Sequence, residues 1–168
     1  MKDDSYYFHQ TPVGLARVLI NTVPLEEGDR VLEPFRGEGA FYNSFPDFVN
    51  KDWCEIEEGR DFKDYNEDID WIITNPPFRL DVGTKRINAF YTILKHFSTK
   101  VNKGIAFLAN DVCLGTLTPL RLTELHEHGL YIHSIKVCSV KKWRGRYFFI
   151  IFKKEPSSFF SPVAGNWE

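Results

Sequence analysis

The chain has 168 residues, enough for one compact domain with a core of its own, and its 43% hydrophobic and 26% charged content is that of an ordinary globular protein. A formal charge of −2 offers no global attraction to nucleic acid, so any phosphate contact must rest on local basic patches. Cys54, Cys113 and Cys138 are scattered without CxxC spacing, which excludes a disulfide framework or a cysteine zinc site and fits a reducing, cytoplasmic interior.

At the N-terminus, residues 1–10 carry two Asp and no apolar segment, unlike a signal peptide. Thr11-Pro12 then opens a helix in which Leu15, Val18 and Leu19 have helical spacing, with Thr11 as its cap and Pro12 in its first turn. Gly28-Asp29 turns the chain into a first strand at 30–33, and a second follows near 53–56. A third apolar run, 69–74, ends at Asn75-Pro76-Pro77. Residues 87–101 have helical spacing through Phe90, Ile93, Leu94 and Phe97, and a strand follows at 104–109. A helix over 119–128 ends at Gly129, and two β-rich runs, 131–140 and 147–153, close the domain around a basic turn.

Strands alternating with helices predict an α/β domain over 1–155, and residues 156–168 read as an irregular C-terminal tail. The pattern is compatible with a mostly parallel, doubly wound sheet whose last strand is antiparallel. Periodicity leaves the strand order open. No apolar run approaches ~20 residues, so no membrane span is expected.

Residues 31–41 form a strand running into a turn that bears Gly37 and Gly39, which allow close backbone approach to a ligand at the carboxyl end of a strand. The G-x-G spacing lacks the Lys-Ser/Thr of a phosphate-binding loop, and alone it is equally a tight turn. Further on, Cys54-Glu55-Ile56-Glu57 puts acids after the second strand, where a carboxylate can accept from ribose hydroxyls. Glu55 is the first choice and Glu57 its competitor, with a solvated acid as the bland alternative.

Asn75-Pro76-Pro77-Phe78 is the most specific segment. In the amino-methyltransferases whose catalytic loop this segment resembles, the substrate is an exocyclic ring amine, a poor nucleophile because its lone pair is delocalised. Two acceptors aimed at the amine protons, the Asn75 side-chain oxygen and the Pro76 carbonyl, would turn that lone pair toward an incoming methyl carbon. Pro76 and Pro77 stiffen the loop, and Phe78 offers an apolar face for an extruded base.

Taken in order, these segments resemble the S-adenosylmethionine-dependent DNA amino-methyltransferases, in the gamma arrangement of the adenine-N6 enzymes. Glu33-Pro34-Phe35-Arg36-Gly37-Glu38-Gly39 is similar to their first motif, Phe8-His9-Gln10-Thr11-Pro12 to their N-terminal motif, Asp61-Phe62 to their third, and Asn75-Pro76-Pro77-Phe78 to their catalytic loop. The resemblance implies a Rossmann-like class I methyltransferase fold, S-adenosyl-L-methionine as cofactor and S-adenosyl-L-homocysteine as product. It implies that Thr11 and Pro12 meet the cofactor carboxylate, that Glu33 meets the ammonium, and that the backbone of Pro34, Phe35, Gly37 and Gly39 runs beside the methionine part. Glu55 would hold the ribose, while Asp61 and Phe62 would hold the adenine. It assigns no metal.

The chain departs from the family in leaving no room for a separate target-recognition region. Target choice would then rest on loops of the domain, on self-association or on a partner chain. Lys85 and Arg86 after the catalytic loop, and Lys141, Lys142, Trp143, Arg144 and Arg146 in the basic turn, are the substrate-contact candidates, with a solvated hairpin tip as the alternative. His126 and His128 cannot share a helix face and read as surface residues. The expected partner is DNA. RNA adenine, a protein glutamine amide, and an inactive methyltransferase-like subunit remain as other readings.

Overall fold

The protein is described by a computed structural model covering residues 10–82, 84–141, 143 and 145–163, with Asp81, Val82, Lys85 and Arg86 described by backbone alone. Of the residues singled out above, Phe8, His9, Lys142 and Arg144, the side chains of Lys85 and Arg86, and the tail beyond 163 lie outside that description.

In chain order the strands are β1 (Arg30–Glu33), β2 (Asn50–Trp53), β3 (Ile69–Thr74), β4 (Arg79–Val82), β5 (Lys85–Asn88), β6 (Val101–Asn110), β7 (Tyr131–Cys138) and β8 (Tyr147–Lys153). The helices are α1 (Val13–Ile20), α2 (Ala89–Ser98), α3 (Asp111–Leu114) and α4 (Pro119–Glu127). Six strands form one sheet in the order β2-β1-β3-β6-β8-β7, and β4 pairs with β5 in a separate hairpin. Strands β2, β1, β3 and β6 are parallel; β8, the last in the chain, runs antiparallel between β6 and β7. The mostly parallel sheet with an antiparallel last strand is the expected one.

The central strands are apolar throughout because both faces of the sheet are covered. Successive side chains point to opposite faces, which sorts the core into two layers. Ile72, Ile105, Phe107, Ile150 and Phe152 pack with Phe90, Ile93, Leu94 and Phe97 of α2 and with Leu122 and Leu125 of α4. Trp71, Ile73, Ala106, Leu108, Phe149 and Ile151 pack with Ala16, Leu19 and Ile20 of α1 and with Phe41 and Phe45.

Several local expectations shift. Val18 is exposed, and Ala16, Leu19 and Ile20 form the buried stripe of α1 instead. Pro12, not Thr11, occupies the N-cap position, and its carbonyl accepts from Ala16 N at 3.0 Å. The second strand lies three residues earlier than expected. Its polar residues Asn50, Lys51 and Asp52 belong to a sheet edge facing solvent, so they carry no apolar alternation. The helix expected over 87–101 is divided: 85–88 complete a hairpin, Asn88 Oδ1 caps α2 by accepting from Phe90 N at 3.1 Å, and Val101 already belongs to β6.

His128 is not a free surface group. Its Nδ1 lies 2.6 Å from the hydroxyl of buried Ser98, and the His126 ring packs 4.6 Å from that of Tyr131. Next to them, Lys154 Nζ donates to the carbonyls of Ser98 (2.5 Å) and His128 (2.8 Å), closing the C-terminal ends of α2 and α4 with one cation. Burial lowers the Lys154 pKa, while the partial negative charge at two helix ends favours the ammonium. Lys154→Met keeps the stem but strips both carbonyls of their donor. It is expected to cost about 2 kcal/mol, a Tm fall of ~4–8 °C for a chain of this size, measurable by thermal unfolding.

Candidate active site

The parallel strands β1, β2 and β3 all end at one edge of the sheet, and the loops leaving them wall a single cavity of about 400 Å³. This is the position at which open α/β sheets bind ligands. The wall includes Thr11, Glu33, Pro34, Phe35, Gly37, Glu55, Glu57, Asp61 and Phe62, and the whole of Asn75-Pro76-Pro77-Phe78. Thr11 and Phe78, 67 positions apart in sequence, are thus gathered around one space. Pro12 and Gly39 are not part of the wall. Gly39 shapes the turn: its φ is +83°, and a Cβ there would lie 2.6 Å from Asn43 Nδ2.

Glu33 ends β1 and is 1% exposed. Thr74, at the end of neighbouring β3, donates its hydroxyl proton to Glu33 Oε1, and Phe35 N donates to the same carboxyl group. Burial pushes the Glu33 carboxyl well above the usual carboxylate range, against the smaller opposing effect of these hydrogen bonds. An acid with a raised folded pKa holds its proton more tightly when folded. Its contribution to stability is full below its ordinary value of 4.5 and is lost as pH rises through the folded value. Glu33→Gln, which cannot ionise, should therefore raise the Tm of the cofactor-free protein at pH 8 and change it little at pH 4.5. Paired thermal melts check this.

Glu55 fastens two walls together. Its Oε2 accepts from Gly37 N at 2.8 Å and its Oε1 from Glu57 N at 3.4 Å. Arg36 strengthens the junction: its N donates to the Cys54 carbonyl at 3.0 Å, and its side chain pairs with Glu58. The guanidinium carbons of Arg36 and Arg60 sit 3.7 Å and 4.1 Å from the Trp53 ring centre. Asp61 caps a short turn by accepting from Lys63 N at 3.0 Å. Phe62 packs against Phe35 at 5.0 Å and Phe97 at 5.7 Å, giving the cavity an aromatic floor.

Wall residues without a site role in the sequence reading include Gln10, Arg36, Ala40, Phe41, Ile56, Lys63 and Leu80. Ile56 is 70% exposed at the rim. Its sequence signal, an isolated apolar residue between two acids in a turn, was available.

On the opposite wall, Asn75 Nδ2 donates to Thr11 Oγ1 at 3.2 Å and Pro76 is buried. Phe78 is half-buried against both core layers, and its carbonyl accepts from Ala89 N at 3.0 Å where the β4–β5 hairpin begins. Arg79 and Leu80 extend the cavity wall into that hairpin. The basic turn between β7 and β8 lies at the same edge of the sheet, because β8 starts opposite the end of β6. Its described residues Lys141, Trp143 and Arg146 do not line the cavity. Trp143 packs 4.6 Å from Tyr147 and against the α1-side core, so much of its ring is already covered. Among the described residues no group of three or more His, Cys, Asp or Glu could hold a metal ion, and no helix is long and apolar enough to cross a membrane.

Solved structures share this fold. A Listeria monocytogenes protein assigned to the class I S-adenosylmethionine-dependent methyltransferases superposes with a TM-score of 0.63 at 12% identity, over 92% of this chain and 64% of that one. The methyltransferase subunit of a type I restriction-modification system from Streptococcus thermophilus gives 0.61 at 14% identity, over 90% and 46%. The E. cuniculi Mtq2–Trm112 complex, responsible for methylation of the translation termination factor eRF1, gives 0.57 at 15% identity, over 90% and 99%. The chain has the Rossmann-like class I methyltransferase fold. It spans less than two thirds of the length of the Listeria and Streptococcus chains. No family model and no curated protein sequence matches it.

Proposed function

We propose that this protein is an S-adenosylmethionine-dependent N-methyltransferase whose substrate is an exocyclic amine, with adenine N6 in DNA as the first target. The observation that carries this reading is the convergence of the glycine turn, the acids after β2 and Asn75-Pro76-Pro77-Phe78 on one cavity.

The residues present suit the cofactor. Glu33 is a buried carboxyl in the cavity wall whose ionisation a cationic ammonium would favour. Glu55, already oriented by Gly37 N, suits the ribose hydroxyls. Asp61, Phe62 and Ile56 offer one polar group and apolar surface for the adenine. When bound, the cofactor supplies a methyl carbon made electrophilic by a sulfonium. The chain's contribution is orientation: Asn75 Oδ1 and the Pro76 carbonyl accept the two amine protons and turn the nitrogen lone pair toward the donor, with the prolines holding both acceptors still. Phe78 provides the stacking face, and the basic turn at the same edge suits a phosphate backbone.

The second reading is a protein amide. It draws on the Mtq2–Trm112 complex, which methylates a protein and one chain of which is matched over 99% of its length. RNA adenine is a further target of the same chemistry, and an inactive subunit would keep the fold without the transfer. Target recognition would come from the domain's own loops, from self-association or from a partner chain. The test is transfer of labelled methyl from S-adenosylmethionine to separate DNA, RNA and protein pools. Label in DNA supports the first reading, label confined to protein overturns it, and label unchanged in Asn75→Ala overturns the mechanism.

A further inference from the structure

Thr11 precedes α1, is 8% exposed and lines the cavity, yet it is not the helix cap. Its hydroxyl oxygen accepts instead from Asn75 Nδ2, across a sequence separation of 64 residues. We propose that Thr11 is a positioning residue that fixes which end of the Asn75 amide faces the substrate amine. This inference rests on the reading of Asn75 as an amine-proton acceptor.

The two ends of a primary amide have almost the same shape, so packing alone cannot choose between them. Hydrogen bonding makes the choice, because one end only donates and the other only accepts. With the amide reversed, its NH2 would face the NH2 of the substrate, donor against donor, and the amine could not be turned. Thr11 Oγ1 takes the nitrogen end, and with its own proton given to a carboxylate in the cavity it can only accept, which selects the productive orientation.

The hydroxyl is held by a rigid support. Pro12 restricts Thr11 to extended backbone, and α1 is anchored through buried Ala16, Leu19 and Ile20. The other side of the loop is secured by the bond from Thr74 to Glu33. A hydroxyl has one proton and two lone pairs, so accepting from Asn75 leaves Thr11 able to donate to a carboxylate in the same cavity. A cofactor contact and the positioning role are therefore compatible, and they predict different kinetics.

Thr11→Val removes the hydroxyl at constant shape, and Thr11→Ser retains it. With donor saturating, and the DNA, RNA or protein pool that wild type labels as acceptor, Thr11→Val is expected to transfer methyl ~10–100-fold more slowly. Its affinity for S-adenosylhomocysteine, read by calorimetry, should stay within about threefold of wild type. Thr11→Ser should restore the rate. In 15N-labelled protein the Asn75 side-chain NH2 resonances, identified by their loss in Asn75→Ala, should shift in Thr11→Val and return in Thr11→Ser. A Thr11→Val enzyme at the wild-type saturated rate, with or without weakened S-adenosylhomocysteine binding, overturns the positioning role. Wild type that binds no S-adenosylhomocysteine and labels no pool overturns the functional reading instead. The NMR comparison then still decides whether Thr11 orients the amide: unchanged Asn75 resonances in Thr11→Val would show that it does not.

Discussion

Asn75→Ala is expected to slow methyl transfer at saturating cofactor by ~10²–10³-fold, the usual cost of removing one pre-organised polar group from a reacting centre. Asn75 follows the buried Thr74 at the end of β3, within the cavity wall, and its amide nitrogen is engaged by Thr11. Truncation to Ala deletes the acceptor oxygen while Pro76 and Pro77 continue to set the backbone path. The fold should survive, because the loop's attachments to the rest of the protein include the Thr74–Glu33 bond and the Phe78–Ala89 bond, neither involving the Asn75 side chain. Affinity for S-adenosylhomocysteine should change little, since Glu33, Glu55, Asp61 and the glycine turn remain. A loss of rate without a loss of binding, read by labelled methyl transfer beside calorimetry, is the signature of an acceptor acting on the substrate amine. A parallel loss of both would instead assign Asn75 to cofactor binding.

The second large effect concerns the core. A Cβ on Gly104 would lie 2.3 Å from the Phe152 carbonyl oxygen and 2.5 Å from Trp71 Cζ3. The oxygen belongs to β8, the strand that pairs with β6, and the ring is 1% exposed inside the α1-side layer. Neither can withdraw without disturbing the sheet ladder or the packing around Trp71. Gly104→Ala is expected to destabilise by about 3 kcal/mol, the upper part of the overpacking range, with a Tm fall of ~6–12 °C. Gly14→Ala is the contrasting control. Gly14 lies in α1 with open space where its Cβ would be, so helix propensity should raise stability there by ~0.5–1 kcal/mol. Opposite signs in thermal unfolding at two glycines would establish that close approach, not glycine itself, governs the effect.

Much of the architecture was legible because it depends on neighbours in sequence. The expected bounds of β1, β3 and β8 coincide with the observed strands, and α4 begins at Pro119 with Thr118 as its cap. Central strands bury both faces, so their apolar runs stand out against flanking Gly, Pro and Asp. Edge strand β2 offered no such contrast and was misplaced. The β4–β5 hairpin was missed because Arg79 to Asn88 alternates weakly and its pairing forms away from the main sheet.

The composition of the cavity wall was readable in outline for the same reason: the glycine turn, the acids after β2 and the Asn-Pro-Pro-Phe loop each follow a strand end. The sequence by itself therefore determined an α/β sheet and the residues gathered at its carboxyl edge, Asn75-Pro76-Pro77-Phe78 among them. Only the tertiary structure decided how those residues are engaged. Glu33 meets Thr74 across 41 residues, Asn75 meets Thr11 across 64, and Lys154 reaches Ser98 across 56. Local periodicity carries no information about which hydroxyl a buried carboxyl or amide will meet. That is set by the parallel alignment of β1 and β3 and by where α1 comes to rest against the sheet.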